Sequence, residues 1–163
     1  MRRNVALCWT YSWGMLFLNS YSADQDQRPS LRIGAYFSLS GNGLATNGPE
    51  AYDGFMFLIN KINSERIGPY SIHVTACDDQ FILSKALACF AKFATEDPVP
   101  IVVGGHTTFT VAAGDYFEKH QILNIQCCTG PEIIYTSTKR KWMFGIHRPS
   151  NDYPKGIVKS IAA

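Results

Sequence analysis

Two glycines and two threonines lie close together in the segment Gly104–Thr108, between two apolar stretches. The pattern predicts a short strand at Ile101–Val103 before the segment and a helix at Phe109–His120 after it. Thr107 or Thr108 is suited to cap that helix, and the amide N–H groups at the helix start, together with the hydroxyls, suit an anion such as a carboxylate. Because capping needs only one hydroxyl, the glycine pair and the second threonine favour a ligand site.

A second candidate segment, Gln126–Pro131, follows a strand predicted at Ile122–Ile125. Thr129 is its strongest hydrogen-bonding side chain, and Gly130 lets the backbone approach a ligand closely. Parallel strands end at the same edge of a sheet, so the two segments should lie side by side. Open α/β sheets bind small ligands at that edge, and we therefore predict one ligand site built from both segments.

The cysteines leave both a chemical and a structural role open. Cys127 or Cys128 could act as a nucleophile with His106 as its base, but we expect binding rather than catalysis. Beyond the N-terminal segment, the cysteines are Cys77, Cys89, Cys127 and Cys128, and they allow several pairings in an oxidising compartment. A bridge from Cys77 to Cys127 or Cys128 is one alternative, and free thiols that pack as small apolar residues are another. A bridge between adjacent cysteines would be strained.

Other motifs in the sequence fall short of a metal or cofactor site. Gly41 and Gly43 fit the start of a dinucleotide-binding fingerprint, but Gly48 comes too late to be its third glycine. Asp78–Asp79 could bind a cation, but no third oxygen ligand follows at a suitable spacing. We therefore interpret an aspartate there as the cap of a helix at Phe81–Thr95. The histidines are scattered, so we predict neither a metal nor a cofactor.

The composition and the N-terminus indicate a globular protein outside the cytoplasm. Hydrophobic residues make up 46% of the chain, which is enough for a core. The net charge of +2 comes from Arg2 and Arg3, and the neutral remainder does not favour nucleic-acid binding. Residues 1–22 resemble a secretory signal peptide, with a basic start, an apolar stretch at Val5–Leu18 and small residues before Ala23. An uncleaved N-terminal membrane anchor is the alternative.

After a polar linker at residues 23–30, strand and helix patterns alternate through a single domain at residues 31–163. This order predicts an α/β fold with a doubly wound parallel sheet of about five strands. The helix that starts near Tyr153 has no stop signal by Ala163, so we expect the domain to be incomplete. The predicted strands are Leu31–Phe37, Tyr70–Cys77, Ile101–Val103, Ile122–Ile125 and Trp142–Ile146.

Six stretches of the sequence carry a resemblance to a known family. They are IGAYFSLSGNG, FLINKIN, VTACDDQ, VVGG followed by hydroxyls, ILNIQCCTGPEI and FGIHRPSNDYPKG, and they lie in one order between Ile33 and Gly156. Together they resemble the N-terminal lobe of type I periplasmic binding proteins, most closely the leucine/branched-chain amino-acid-binding group. The resemblance implies two similar lobes that close around a ligand, with the second lobe lying beyond this chain.

The resemblance also implies a ligand, a partner and a set of site residues. The implied function is binding of an amino acid or a related small carboxylate, as the substrate-binding component of an ABC-type uptake system with a membrane permease as partner. A ligand-binding ectodomain of a membrane receptor is the alternative, because such receptors share the fold. The implied ligand-binding residues are Thr107, Thr108, Cys127, Cys128, Thr129 and, where the family has an aromatic residue beside the side-chain pocket, Asn47.

Overall fold

The computed structural model describes residues 26–41, 47–134 and 140–161, and in these residues five parallel strands form one sheet. The segment interpreted as a signal peptide, residues 1–22, lies outside the described residues. The strands lie in the order β2-β1-β3-β4-β5, which confirms the predicted α/β fold with a parallel sheet. Their bounds are Ser30–Phe37 (β1), Ser71–Asp78 (β2), Ile101–His106 (β3), Leu123–Cys128 (β4) and Met143–Gly145 (β5).

Helices cover both faces of this sheet. The described helices are Asn47–Ser64 (α1), Leu83–Ala91 (α2), Thr110–His120 (α3) and Tyr153–Ile161 (α4). Tyr36 and Phe37 are neighbours on β1, so their side chains point to opposite faces. Tyr36 packs against Phe90 of α2, whereas Phe37 packs against Tyr52 of α1. The sheet is therefore doubly wound; within the described segments, no helix is long and apolar enough to cross a membrane.

Aromatic side chains fill the core between the sheet and helices α2 and α3. Phe90 packs edge-on against Tyr36 and Phe117, with ring centroids 4.9 and 5.0 Å apart. Phe93 lies on the π-helical turn that continues α2, against Gly34, where a Cβ atom would approach its ring to 2.9 Å. The three phenylalanines are fully buried, and burial of each stabilises the fold by about 2 kcal/mol.

The third and fourth strands are longer than the sequence predicts. β3 continues through Gly104 and Gly105 to His106, and β4 continues to Cys128, which pairs with His106. The predicted ends at residues 103 and 125 were wrong because glycines and small polar residues are typical of loops. Gly104 and Gly105 have φ angles of 140° and 109°, a conformation that glycine adopts readily and other residues rarely do.

A disulfide joins Cys77 at the end of β2 to Cys89 in α2. The predicted alternative, a bridge from Cys77 to Cys127 or Cys128, is wrong because β1 and β3 separate β2 from β4. Each step between neighbouring strands is about 4.8 Å, so the sulfur atoms are out of reach of one another. The bridge ties α2 to the edge strand of the sheet, and closing a loop of this size stabilises the fold by about 3 kcal/mol.

Candidate functional site

The winding of the chain opens a crevice at the carboxyl ends of β1 and β3. The connection after β1 leads through α1 to β2 on one side, whereas β3, β4 and β5 follow on the other side. The direction of winding therefore reverses between β1 and β3, and the chain leaves these two strands toward opposite faces. In open α/β sheets, ligands bind in the crevice at such a switch point.

A cleft of about 120 Å³ lies at this switch point. The N-terminus of α1 borders it through Asn47 and Gly48, and the end of β3 borders it through Gly105 and His106. The first amide groups of an α-helix have no partner within the helix and carry a partial positive charge, so they favour an anion. The remaining described lining residues include no acidic or basic side chain of the Asp, Glu, Lys or Arg type: Phe37, Ser38, Ala51 and Cys128.

The structure brings only some of the predicted ligand-binding residues to this cleft. Asn47 and Cys128 line it. Thr107 and Thr108 are exposed on the 3-10 turn between β3 and α3, and the Thr107 hydroxyl donates to the carbonyl oxygen of Cys128 over 3.4 Å. The amide of Thr108 donates to Nδ1 of His106 over 3.4 Å, so His106 rather than a threonine caps the turn. Sequence reasoning considered His106 only as a base and missed this position.

Thr129 lies inside the lobe and not in the cleft. It is 0% exposed, and the hydroxyl of Thr110 donates to its hydroxyl oxygen over 3.1 Å. A fully buried hydroxyl cannot contact a ligand, which corrects the predicted role of Thr129. Cys127 is half-buried, and of the two adjacent cysteines it is Cys128 that lines the cleft.

A buried hydrogen-bond network beneath the cleft ties β1 to β4. Nε2 of Gln126 donates to the hydroxyl of Tyr36 over 2.7 Å and to Oδ1 of Asn124 over 2.8 Å. All three side chains are fully buried. Burial raises the pKa of Tyr36 above its ordinary value, so its hydroxyl stays neutral. Sequence reasoning missed this network, although polar residues at alternate positions of an otherwise apolar strand were a signal for it.

Two aspartates at the end of β2 organise the loop that follows β1. Asp78 accepts hydrogen bonds from the amides of Leu39 and Ser40 over 2.9 and 3.2 Å, and the buried Asp79 accepts one from the hydroxyl of Ser38. The predicted helix cap is wrong, because α2 starts further along the chain and its N-cap makes no side-chain hydrogen bond. Nowhere in the described segments do three or more His, Cys, Asp or Glu residues cluster so as to hold a metal ion.

The carboxylate of Asp78 makes a pH-dependent contribution to stability. Burial opposes its ionisation, but hydrogen bonds from the Ser40 hydroxyl and from the amides of Gln80, Leu39 and Ser40 outweigh burial and lower the pKa of Asp78. Such a carboxylate stabilises the fold at neutral pH, and this stabilisation is lost as the pH falls from about 3.9 through the lower folded-state pKa. We expect Asp78→Asn to lower the free energy of unfolding at neutral pH by about 1 kcal/mol.

Chemical denaturation of both proteins at several pH values measures this effect. The difference between the wild type and Asp78→Asn should shrink below about pH 4, because the wild-type carboxyl is then protonated as well. Asp53→Asn, at an exposed position of α1, is the matched control and should change stability by less than about 0.5 kcal/mol. A pH-independent cost of Asp78→Asn would contradict the assignment.

Comparison with known proteins identifies the fold. No family model and no curated protein matches the sequence. Among solved structures, the substrate-binding protein of a branched-chain amino-acid transporter from Streptococcus pneumoniae, in complex with isoleucine, matches with a TM-score of 0.66 at 21% identity. A possible leucine/isoleucine/valine-binding protein from Rhodopirellula baltica matches with a TM-score of 0.73 at 16% identity. The fold is that of type I periplasmic binding proteins.

The chain spans a little over a third of the length of these two solved proteins. The alignments cover 79% and 83% of this chain but only 39% and 36% of the two solved proteins. A solute-binding protein of an ABC transporter from Rhodopseudomonas palustris, in complex with 3,4-dihydroxybenzoic acid, matches with a TM-score of 0.63 at 20% identity, over 74% of this chain and 32% of that one. These shares correspond to a single lobe of the type I periplasmic binding fold.

Proposed function

We propose that this lobe binds the carboxylate end of a small ligand outside the cytoplasm, an amino acid or a related acid. The observation that carries the proposal is that the N-terminus of α1 opens into the switch-point cleft, which His106 also lines. The amide groups in the first turn of a helix have no partner within the helix and favour an anion. Thr107 and Thr108 follow His106 in the chain and are exposed, and their hydroxyls would donate to the same group by turning from their present partners, the Cys128 carbonyl and Nδ1 of His106.

The ligands of the structurally similar proteins support the choice of a carboxylate. Isoleucine and 3,4-dihydroxybenzoic acid, which are bound in two of those structures, differ in size, shape and polarity. Both carry a carboxyl group, and that is the chemistry a helix N-terminus recognises.

The same proteins suggest the wider role. One is the substrate-binding protein of a branched-chain amino-acid transporter, and the other is a solute-binding protein of an ABC transporter. We infer that this lobe belongs to the substrate-binding component of an ABC-type uptake system and delivers its ligand to a membrane permease. In this role the lobe binds and releases its ligand unchanged and performs no catalytic step.

Thermal unfolding of the chain with paired ligands tests the proposal. The pairs are leucine and leucinamide, isoleucine and isoleucinamide, and 3,4-dihydroxybenzoic acid and its amide. At a carboxylate concentration about tenfold above Kd, the apparent free energy of unfolding should rise by about 1.4 kcal/mol, whereas the matching amide should have no effect. Equal effects of acid and amide in every pair, or no effect of any acid, would show that the cleft is not a carboxylate site.

A variant that fills the cleft locates the binding. Ala51 lines the cleft from α1, so Ala51→Phe should abolish stabilisation by the carboxylate. Asn60→Phe introduces the same ring on the same helix at an exposed position away from the cleft and is the matched control. If both variants respond to the ligand as the wild type does, the ligand binds elsewhere.

A further inference from the structure

Two adjacent cysteines at the end of β4, Cys127 and Cys128, hold their sulfur atoms close together beside the cleft. The sulfur atoms of Cys127 and Cys128 are 2.7 Å apart, closer than two unbonded sulfur atoms normally approach. Cys128 is exposed and lines the cleft, and Cys127 is half-buried behind it. Both are free thiols here, in contrast to the joined pair Cys77–Cys89.

We propose that Cys127 and Cys128 form a reversible vicinal disulfide in the wall of the cleft, which opens and closes by exchange with a small disulfide such as oxidised glutathione. The two sulfur atoms already lie next to each other, so the side chains need little rearrangement, and the strain of a bridge falls on the backbone between the adjacent residues. The exposed edge of the pair gives a small disulfide access to Cys128.

The charges around the pair distinguish the two thiols. A hydrogen bond from Cys127 and, more weakly, the charge of His147 lower the pKa of Cys128 to about 7, although partial burial opposes the shift. The same hydrogen bond, together with burial, raises the pKa of Cys127. At neutral pH about half of the Cys128 side chains are therefore thiolate, whereas Cys127 stays protonated, and the thiolate is the form that attacks a disulfide.

The exchange proceeds in two balanced steps. The Cys128 thiolate attacks one sulfur of the oxidised glutathione, forms a mixed disulfide and releases one glutathione thiolate. Cys127 then loses its proton and attacks the sulfur of Cys128, which releases the second glutathione thiolate and closes the bridge. Two electrons pass from the protein sulfur atoms to glutathione, and the proton from Cys127 and one proton from solvent protonate the two glutathione thiolates at a pH below their pKa.

The position of the pair makes the bridge easy to reduce and places it where it affects the backbone beside the cleft. A bridge between adjacent residues closes a small ring through one peptide bond, and strained or exposed disulfides are the easily reduced ones. The carbonyl of Cys128 accepts the Thr107 hydroxyl, and Cys128 pairs with His106 across the strands. Closing the ring therefore acts on backbone that directly borders the cleft.

Labelling of the chain in glutathione redox buffers tests this proposal. After equilibration, free thiols are blocked with N-ethylmaleimide, and the peptide that contains both cysteines is analysed by mass spectrometry. As the buffer becomes more oxidising, the doubly labelled peptide should give way to an unlabelled peptide that is lighter than the unlabelled dithiol by two hydrogen atoms. The change should reverse on reduction. The Cys77–Cys89 bridge serves as an internal control and should stay closed over the same range.

Single variants trap the intermediate. In Cys127→Ser, Cys128 should keep a bound glutathione and acquire it about tenfold faster than Cys127 does in Cys128→Ser, because thiolates and not thiols exchange. Three results with the wild type would each overturn the proposal: two labels in every buffer, a lasting glutathione adduct, or a bridge between two chains.

Discussion

Replacing Gly104 with alanine is expected to lower the free energy of unfolding by about 4 kcal/mol. Gly104 has a φ of 140°, a conformation that strains any residue with a side chain. A Cβ atom there would also overlap the carbonyl oxygen of Tyr36, the residue paired with Gly104 across β1 and β3. Because the obstacle is backbone and not a flexible side chain, it can yield only if the two strands separate at the base of the cleft.

Gly54→Ala is the matched control for this experiment. Gly54 lies in α1, and a Cβ atom there would have no neighbour within 4 Å. A helix interior favours alanine over glycine, so the free energy of unfolding of this variant should rise by about 0.5–1 kcal/mol. Equilibrium urea unfolding should show a lower free energy of unfolding for Gly104→Ala and a higher one for Gly54→Ala. A cost for Gly104→Ala no larger than about 1 kcal/mol would mean that β1 and β3 do not approach as closely as the structure shows.

Gly104 also shows where prediction from the sequence succeeds and where it stops. The alternation of apolar strands and amphipathic helices predicted the parallel sheet correctly, because that pattern depends only on local spacing. The end of β3 was missed because a glycine pair is typical of a turn. Its actual role is to let β3 run close beside Tyr36, and that neighbour becomes visible only when the chain is folded.

The candidate site was predictable to a similar extent. Asn47 and Cys128 were predicted as ligand-binding residues from the family resemblance, and both line the cleft. Cys128 does so because the carboxyl ends of parallel strands meet at one edge. Thr129 was assigned to the ligand on its hydroxyl and on the family resemblance, but the direction of a loop side chain follows from packing, and here it points inward. The partner of Cys77 depended on strand order, which the sequence left open.

Replacing Gln126 with leucine is expected to lower the free energy of unfolding by about 3 kcal/mol. Its side-chain amide donates one hydrogen bond to the hydroxyl of Tyr36 and one to Oδ1 of Asn124. All three side chains are fully buried. Leucine fills similar space but donates nothing, so two buried polar groups lose a partner, at about 1–3 kcal/mol each. Urea unfolding should show this loss with an unchanged m-value, because the surface exposed on unfolding stays the same.

A double-mutant cycle with Tyr36→Phe separates the hydrogen bond from the packing. If Gln126→Leu lowers the free energy of unfolding because the Tyr36 hydroxyl loses its hydrogen-bond donor, the loss should be at least about 1 kcal/mol smaller in a protein that already carries Tyr36→Phe. Equal costs in both backgrounds would mean that Gln126 acts through packing or through Asn124 alone. A coupling of the expected size would show that this bond, which joins residues 90 positions apart, links β4 to β1 across β3 beneath the cleft.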